Sequence, residues 1–190
     1  MEIGLFFGSF NPIHIGHMII AQTMLENAGI GELWFVVSPQ NPFKKNKSLL
    51  HEFDRFDMVE AAALENPKFK VSDVEFHMPK PSYTIDTLVV LSEKHPNHNF
   101  RLIVGGDNMN QFHKWKNSDQ IIENFGLLIY PRPGQDINVL PQHKNICYIE
   151  APMLEISATF IRNAIKKRHS IKYLVPESVE NHIYRKGFYQ

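Results

Sequence analysis

The sequence predicts an α/β fold, because short apolar runs that suit buried strands alternate with helix-patterned segments along the chain. Strands whose two faces are both buried by crossover helices pair in parallel. No internal repeat, low-complexity tract or linker breaks this alternation in the sequence. We therefore expect a Rossmann-like, doubly wound parallel sheet in a single domain over residues 1–190, with helices at its C-terminal end.

Six segments have the apolar character of strands. Residues 3–7 and 33–37 are apolar enough for burial on both faces of a sheet. Residues 69–74 alternate between apolar and polar, so we expect this strand nearer an edge. The remaining strands are expected at 100–104, 126–130 and 146–149.

Five segments have the apolar spacing of helices: 18–28, 53–63, 85–94, 157–167 and 176–186. Gly29 stands where the first of them should end. Thr84 is expected to cap the third, with Asp86 in its first turn. Residues 39–47 and 135–145 are expected to be loops.

The composition is that of a globular protein with a small-molecule partner. Hydrophobic residues make up 43% of the 190 and charged residues 21%, so the chain can bury a core. The 20 Lys and Arg residues balance the 20 Asp and Glu residues, which leaves no overall positive charge for binding DNA or RNA. We expect no nucleic-acid partner, while a homo-oligomer stays open.

Cys147 is the only cysteine, which excludes an intramolecular disulfide and a cysteine-based metal cluster. We expect a buried, inert thiol in a reducing compartment. Residues 1–4 hold no basic segment of a signal peptide, and no apolar run approaches the roughly 18 residues of a membrane span. The expected location is therefore the cytoplasm, without a membrane partner.

The ten residues 8–17, Gly-Ser-Phe-Asn-Pro-Ile-His-Ile-Gly-His, join the first strand to the first helix. Such a turn presents backbone N–H groups and a positive helix end to a phosphate. Gly8 and Gly16 either let the backbone approach a ligand or take a positive φ. His14 and His17 are three residues apart and fall on one helix face, where they suit a reaction that builds negative charge on phosphate oxygens. Glycines alone at such a turn are more often structural.

Two further segments leave strands at the edge of the sheet where ligands bind in open α/β folds. Residues 39–47 carry Lys44, Lys45 and Lys47 and form either a solvated loop or a phosphate-binding lid. Residues 105–108, Gly-Gly-Asp-Asn, offer backbone amides with the carboxylate of Asp107, which suits a ribose.

Residues 156–162 place the hydroxyls of Ser157 and Thr159 at a helix start, with Arg162 one turn further on. One interpretation is an ordinary N-cap with a solvated arginine. The other is a triphosphate site, since helix-start hydroxyls, amides and an arginine fork all bind phosphate oxygens.

Residues 8–17 resemble the G-x-F-x-P-x-H-x-G-H signature of the nucleotidyltransferase superfamily, which transfers a nucleotidyl group from ATP or CTP to a small molecule. The His-Ile-Gly-His portion is similar to the motif of class I aminoacyl-tRNA synthetases. Asn11 stands where the superfamily usually has Asp. Residues 156–162 resemble its I-S-S-T-x-x-R motif, with Ala158 in place of the second serine.

A narrower resemblance is to the bacterial nicotinate-nucleotide adenylyltransferases, and it covers essentially the whole chain. It rests on four segments in the family's order: 81–88 (Pro-Ser-Tyr-Thr-Ile-Asp-Thr-Leu), 106–108 followed by Trp115, 132–134 (Arg-Pro-Gly) and 173–176 (Tyr-Leu-Val-Pro). The first is the most discriminating, because the shorter pantetheine-phosphate adenylyltransferases lack it. The family commonly has Pro-His-Lys after the second strand, whereas this chain has Pro42-Phe43-Lys44.

The resemblance implies transfer of AMP from ATP to nicotinate mononucleotide, giving nicotinate adenine dinucleotide and pyrophosphate, with Mg²⁺ on the triphosphate. It implies catalytic roles for His14, His17 and Lys44. It implies ATP contacts from Gly8, Ser9, Phe10, Gly16, Asp107, Ser157, Thr159 and Arg162. Substrate contacts would come from Lys45, Thr84 at the nicotinate carboxylate, Trp115 stacked on the pyridine ring, and Arg132. Tyr83 is expected to pack.

Three alternatives stay open on the sequence: a sister adenylyltransferase for nicotinamide mononucleotide or phosphopantetheine, a truncated tRNA-synthetase-like enzyme, and a nucleotide-binding regulator without catalysis. The synthetase alternative would need a lysine-rich second signature, which the sequence lacks. No protein metal site is predicted, because no third ligand has convincing spacing to the His-x-x-His pair.

Overall fold

The computed structural model describes residues 1–39, 49–131, 141–152 and 154–190. Its centre is one six-stranded sheet in the order β3-β2-β1-β4-β5-β6, with every pairing parallel. The strands are β1 (Glu2–Gly8), β2 (Glu32–Val37), β3 (Phe69–Ser72), β4 (Asn99–Gly105), β5 (Leu127–Tyr130) and β6 (Ile146–Tyr148). The predicted parallel sheet is confirmed, and β3 lies at an edge as its alternating sequence indicated.

The helices of the described ranges are α1 (Ile15–Asn27), α2 (Glu52–Ala63), α3 (Thr84–Lys94), α4 (Gly106–Phe112), α5 (Ser118–Asn124), α6 (Ala158–Lys166) and α7 (Glu177–Lys186). Five of them were predicted. The short α4 and α5 were not, because seven mostly polar residues give too little apolar periodicity to be recognised.

The structure corrects several predicted boundaries, among them the first helix, which begins at Ile15 and not at Met18. Strand β3 ends at Ser72, because Val74 begins a short 3-10 helix (Val74–His77) and buries its side chain there. Thr84 is the first helical residue of α3, so it does not cap that helix; Tyr83 precedes it in an extended conformation.

Helices cover both faces of the sheet, as a doubly wound fold requires. On one face, Phe35 of β2 packs in a cluster with Met24 of α1, Met58 of α2 and Ile183 of α7. On the other, Leu5 of β1 packs with residues of α3, α4 and α5, including Leu88, Phe112 and Ile121. Neither layer could bury its apolar face without the sheet between them.

The strand order reverses between β1 and β4, because β2 and β3 lie on one side of β1 while β5 and β6 lie on the other side of β4. In open parallel sheets the carboxyl ends at such a switch point form a crevice that binds ligands. Residues 9–14 follow β1 here, and α4 follows β4 directly. Two of the predicted site segments, 8–17 and 105–108, therefore begin at the switch point.

Within the part of the chain that the structure describes, no helix is long and apolar enough to cross a membrane. Cys147 lies on the edge strand β6 and is half-buried, not fully buried as expected, since an edge strand has a neighbour on one side only.

Candidate active site

The turn after β1 is shaped by the ring of Phe10. Phe10 has a φ of 43° and is 2% exposed. A Cβ at Gly8 would lie 2.7 Å from the Cζ atom of that ring, so Gly8 makes room for it. A Cβ at Gly16 would lie 2.8 Å from the Cγ2 atom of Ile156. Neither glycine has a positive φ, which falls on Phe10 instead; both make room for protein side chains, and the approach of their backbone to a ligand stays a prediction.

His14 and His17 face each other at the start of α1. Their rings stack with centroids 3.7 Å apart and an interplanar angle of 29°. The backbone N–H of His14 donates to Nδ1 of His17 at 3.2 Å. Because Nδ1 accepts this bond, a neutral His17 carries its proton on Nε2, which makes Nε2 the donor of that ring.

The imidazole of His14 is held in its neutral form. It is 6% exposed, and burial lowers its pKa from 6.5 to about 4. Its Nδ1 is buried without a hydrogen-bond partner among the described residues. The His14 side chain faces the backbone N–H of His17 in a capping box at the start of α1, which keeps the imidazole against the helix end.

Asn11 connects the turn to three distant parts of the chain. It is 3% exposed, and its backbone carbonyl accepts a bond from Nη1 of Arg162 at 2.8 Å. Its side-chain Oδ1 accepts from the hydroxyl of Tyr189 at 2.8 Å and from the backbone N–H of Leu50 at 3.3 Å. The position where this chain departs from the superfamily signature is therefore an anchor of the loop.

The start of α6 keeps the predicted N-cap but not the solvated arginine, and the triphosphate site stays a prediction. Ser157 is an N-cap, since its Oγ accepts the backbone N–H of Phe160 at 3.2 Å. Arg162 is not a solvated side chain, because it is half-buried and bonded to the turn after β1. Its Nη2 also donates to the hydroxyl of Thr159 at 3.1 Å, which fixes the plane of the guanidinium beside that turn.

Arg55 of α2 connects the turn after β1 to the end of β2. It belongs to none of the motifs recognised in the sequence. It is fully buried, and its guanidinium donates to four backbone carbonyls, those of Ser9, Ser38, Pro39 and Leu50. Burial lowers its pKa. The available signal was an arginine on the apolar face of α2, one turn before Met58 and Val59.

A cavity of about 500 Å³ opens beside Gly8 and Ser9. Thr84 and Trp115, which the resemblance placed on the same substrate, both line it. They come from the start of α3 and from the segment between α4 and α5, so the fold brings together residues far apart in sequence.

The wall of this cavity includes Tyr83, contrary to the expectation that Tyr83 packs. Its side chain is 40% exposed, and Nζ of Lys116 lies 5.0 Å from the centroid of its ring. Asp86 holds Lys116 in place, with both carboxylate oxygens within 2.9 Å of Nζ. The wall therefore has an aromatic face with a cation at its rim.

Glu75 is a buried carboxyl on the wall of the same cavity and was not predicted from the sequence. It is 3% exposed and accepts a bond from the Thr87 hydroxyl at 2.8 Å. Burial raises its pKa, while bonds from the hydroxyls of Thr87, Ser38 and Ser82 lower it. These bonds tie the start of α3 to the end of β2.

Comparisons with known proteins identify the family of the chain. Residues 5–164 match the family described as cytidylyltransferase-like. A protein of Cytophaga hutchinsonii named a probable nicotinate-nucleotide adenylyltransferase is 59% identical over 189 residues, which cover 100% of this chain and 98% of that one. A protein of the same name from Flavobacterium psychrophilum is 46% identical, with 100% of both chains covered. The chain belongs to the nicotinate-nucleotide adenylyltransferase family.

Among solved structures, the Plasmodium falciparum nicotinic acid mononucleotide adenylyltransferase complexed with NaAD superposes with a TM-score of 0.82 over 99% of this chain and 97% of that one. At 23% identity, this likeness concerns the fold. This adenylyltransferase family member therefore shares its fold with a solved structure.

Of the other residues that the resemblance to the family singled out, some lie near the cavity and others lie outside the described residues. Asp107 lies in the first turn of α4 and is exposed, while its neighbour Asn108 lines the cavity. Lys44, Lys45 and Arg132 lie outside the described residues. The described ranges bring together no group of three or more His, Cys, Asp or Glu side chains that could hold a metal ion.

Proposed function

We propose that this chain transfers the AMP group of ATP to nicotinate mononucleotide, releasing pyrophosphate and forming nicotinate adenine dinucleotide in NAD biosynthesis. The observation that carries the proposal is the stacked pair of His14 and His17 next to a cavity lined by Thr84 and Trp115. The names of the full-length relatives support it.

In the reaction, a phosphate oxygen of the mononucleotide forms a bond to the α-phosphorus of ATP, and the bond from that phosphorus to the β-phosphate oxygen breaks. The nucleophile is already an anion near pH 7, so no protein base is needed. Catalysis then consists of positioning and of stabilising charge on phosphoryl oxygens. His17 donates from Nε2, and neutral His14 bonds the neighbouring phosphate.

The triphosphate lies along the turn after β1 and the start of α6. One side of this path is formed by the backbone of Gly8, Ser9, Phe10 and Gly16. The other side is formed by Ser157, Thr159 and Arg162. Arg162 is oriented for this by its bonds to Asn11 and Thr159. We propose that Lys44 covers the leaving pyrophosphate and that Asp107 contacts the adenosine ribose.

The pyridine ring occupies the cavity. Trp115 offers it an indole face, and the start of α3 at Thr84 presents backbone N–H groups to its carboxylate. Lys116 lies on the same wall, where its ammonium group is paired with Asp86. This combination favours the acid over the amide, with Lys45 and Arg132 as further substrate contacts.

We propose that Mg²⁺ enters with ATP, bound to phosphate oxygens and water, where it neutralises phosphate charge. The described residues fit this arrangement, since they offer hydrogen-bond donors along the phosphate path and no carboxylate cage. We propose further that residues 1–190 act as one nucleotidyltransferase domain in the cytoplasm. Whether the chain forms a homo-oligomer can be measured by light scattering.

The test is pyrophosphate release with ATP and Mg²⁺, comparing nicotinate mononucleotide with nicotinamide mononucleotide at matched concentrations. A strong preference for the acid is the expected result. Comparable rates would keep the chemistry and remove the proposed carboxylate recognition. No release with either nucleotide would overturn the proposal, and phosphopantetheine would then be the acceptor to test.

A further inference from the structure

Tyr189 lies beyond residues 5–164, the segment that matches the family, yet it reaches the phosphate side of the site. Its hydroxyl is 2.8 Å from Oδ1 of Asn11. Its backbone has a φ of 64°, a left-handed conformation that tyrosine seldom adopts. A conformation of this kind persists when the surrounding contacts hold it in place.

The hydroxyl of Tyr189 acts as a donor in this contact. Burial raises its pKa, although the guanidinium groups of Arg162 and Arg55 lower it, so the phenol keeps its proton near neutral pH. Oδ1 of Asn11 also accepts the backbone N–H of Leu50. Two donors on one oxygen fix the orientation of the Asn11 amide.

Asn11 also holds Arg162, through its backbone carbonyl. The carbonyl of Asn11 accepts Nη1 of Arg162 at 2.8 Å, and Asn11 lies three residues before His14. The bonds to the Asn11 side chain also restrain its backbone, which carries the acceptor of Arg162 and leads to the histidine pair.

We propose that Tyr189 is a positioning residue for nucleotidyl transfer, which holds Asn11 so that its carbonyl aims Arg162 at the triphosphate. This inference rests on the proposed function, because its kinetic test measures nucleotidyl transfer. It predicts a larger effect on ATP than on the mononucleotide, because Asn11 and Arg162 do not line the cavity, whereas Thr84 and Trp115 come to it from α3 and from the segment before α5.

The test is Tyr189→Phe, which removes the hydroxyl and keeps the ring. We expect the KM for ATP to rise about tenfold, the scale of one lost hydrogen bond. The KM for nicotinate mononucleotide and the thermal midpoint should stay near their wild-type values. Tyr184→Phe is the matched control, since Tyr184 belongs to α7 and its side chain is exposed, and it should change neither KM.

A double-mutant cycle separates positioning from mere packing. In an Arg162→Lys background, Tyr189→Phe should have little further effect on ATP, because its effect passes through the arginine. A full additional loss in that background overturns the inference. An unchanged KM for ATP in the single variant also overturns it, and so does an equal rise of both KM values with a lowered thermal midpoint.

Failure of the proposed function would be recognised separately. If the wild-type chain releases no pyrophosphate, titration calorimetry with ATP alone still tests the inference. Weaker ATP binding by Tyr189→Phe than by wild type would support it. Equal binding would overturn it, and so would a wild-type chain that binds no ATP.

Discussion

Nδ1 of His17 accepts a hydrogen bond from the backbone N–H of His14 at 3.2 Å, while the two imidazole rings stack 3.7 Å apart. The bond assigns the His17 proton to Nε2 and so orients a donor away from the helix start. The His14 side chain faces the backbone N–H of His17 in return, and burial, which lowers its pKa to about 4, keeps His14 neutral. The two histidines of the motif are therefore chemically different despite their shared sequence context.

Substitution of His17 should mainly affect the chemical step. His17→Ala removes the Nε2 donor, and we expect kcat to fall by roughly 10²-fold, the scale of losing one preorganised donor in a transition state. Steady-state pyrophosphate release measures this. His113→Ala, at an exposed histidine, is the control and should retain wild-type kcat. A His17→Ala variant with a nearly wild-type rate would remove His17 from the mechanism.

Burial of neutral His14 should make stability depend on pH between about 4 and 6.5. The folded pKa of about 4 lies below the unfolded value of 6.5, so the unfolded chain binds the proton first as the pH falls. The stabilisation is present above pH 6.5 and is lost towards pH 4. We expect a loss of about 2 kcal/mol between pH 7 and pH 5.

Urea denaturation of wild type and His14→Gln at the two pH values checks this expectation. The variant lacks the titrating group, so its free energy of unfolding should fall less than that of wild type over the same interval. If both fall equally, the buried imidazole is not the source of the pH dependence.

The sequence predicted the sheet and the position of the turn after β1 well, because both depend on local patterns. Apolar runs indicated the strands, and residues 8–17 indicated the turn that carries His14 and His17. Tyr189 and Arg55 could not be found this way, because their roles depend on bonds to residues distant in sequence, such as Asn11, 178 positions from Tyr189, and Ser9, 46 positions from Arg55. Nothing in a linear pattern marks which buried polar group will meet which carbonyl.

Loss of Arg55 should destabilise the fold as well as the site. Arg55→Met leaves the carbonyls of Ser9, Ser38, Pro39 and Leu50 without this donor. At about 1–3 kcal/mol for each unsatisfied buried group, we expect the free energy of unfolding to fall by about 3 kcal/mol or more. Denaturant titration measures it.

Arg185→Met is the matched control for Arg55→Met, because Arg185 is exposed on α7. It should change the free energy of unfolding by less than about 0.5 kcal/mol, as surface substitutions usually do. Similar values for the two variants would mean that the four carbonyl bonds of Arg55 contribute nothing particular.

Substitution of Trp115 should separate the two substrates. Trp115 lines the cavity and packs against Phe112 at a centroid distance of 5.1 Å, so its indole is held in place before substrate arrives. Trp115→Ala should raise the KM for nicotinate mononucleotide by roughly tenfold, since a stacked aromatic face is lost. The KM for ATP should be spared, because the phosphate path runs along α1 and α6. Trp115→Phe keeps a flat ring and should recover most of the loss. An equal rise of both KM values in Trp115→Ala would indicate a folding defect. It would give no support to stacking of the pyridine ring on Trp115.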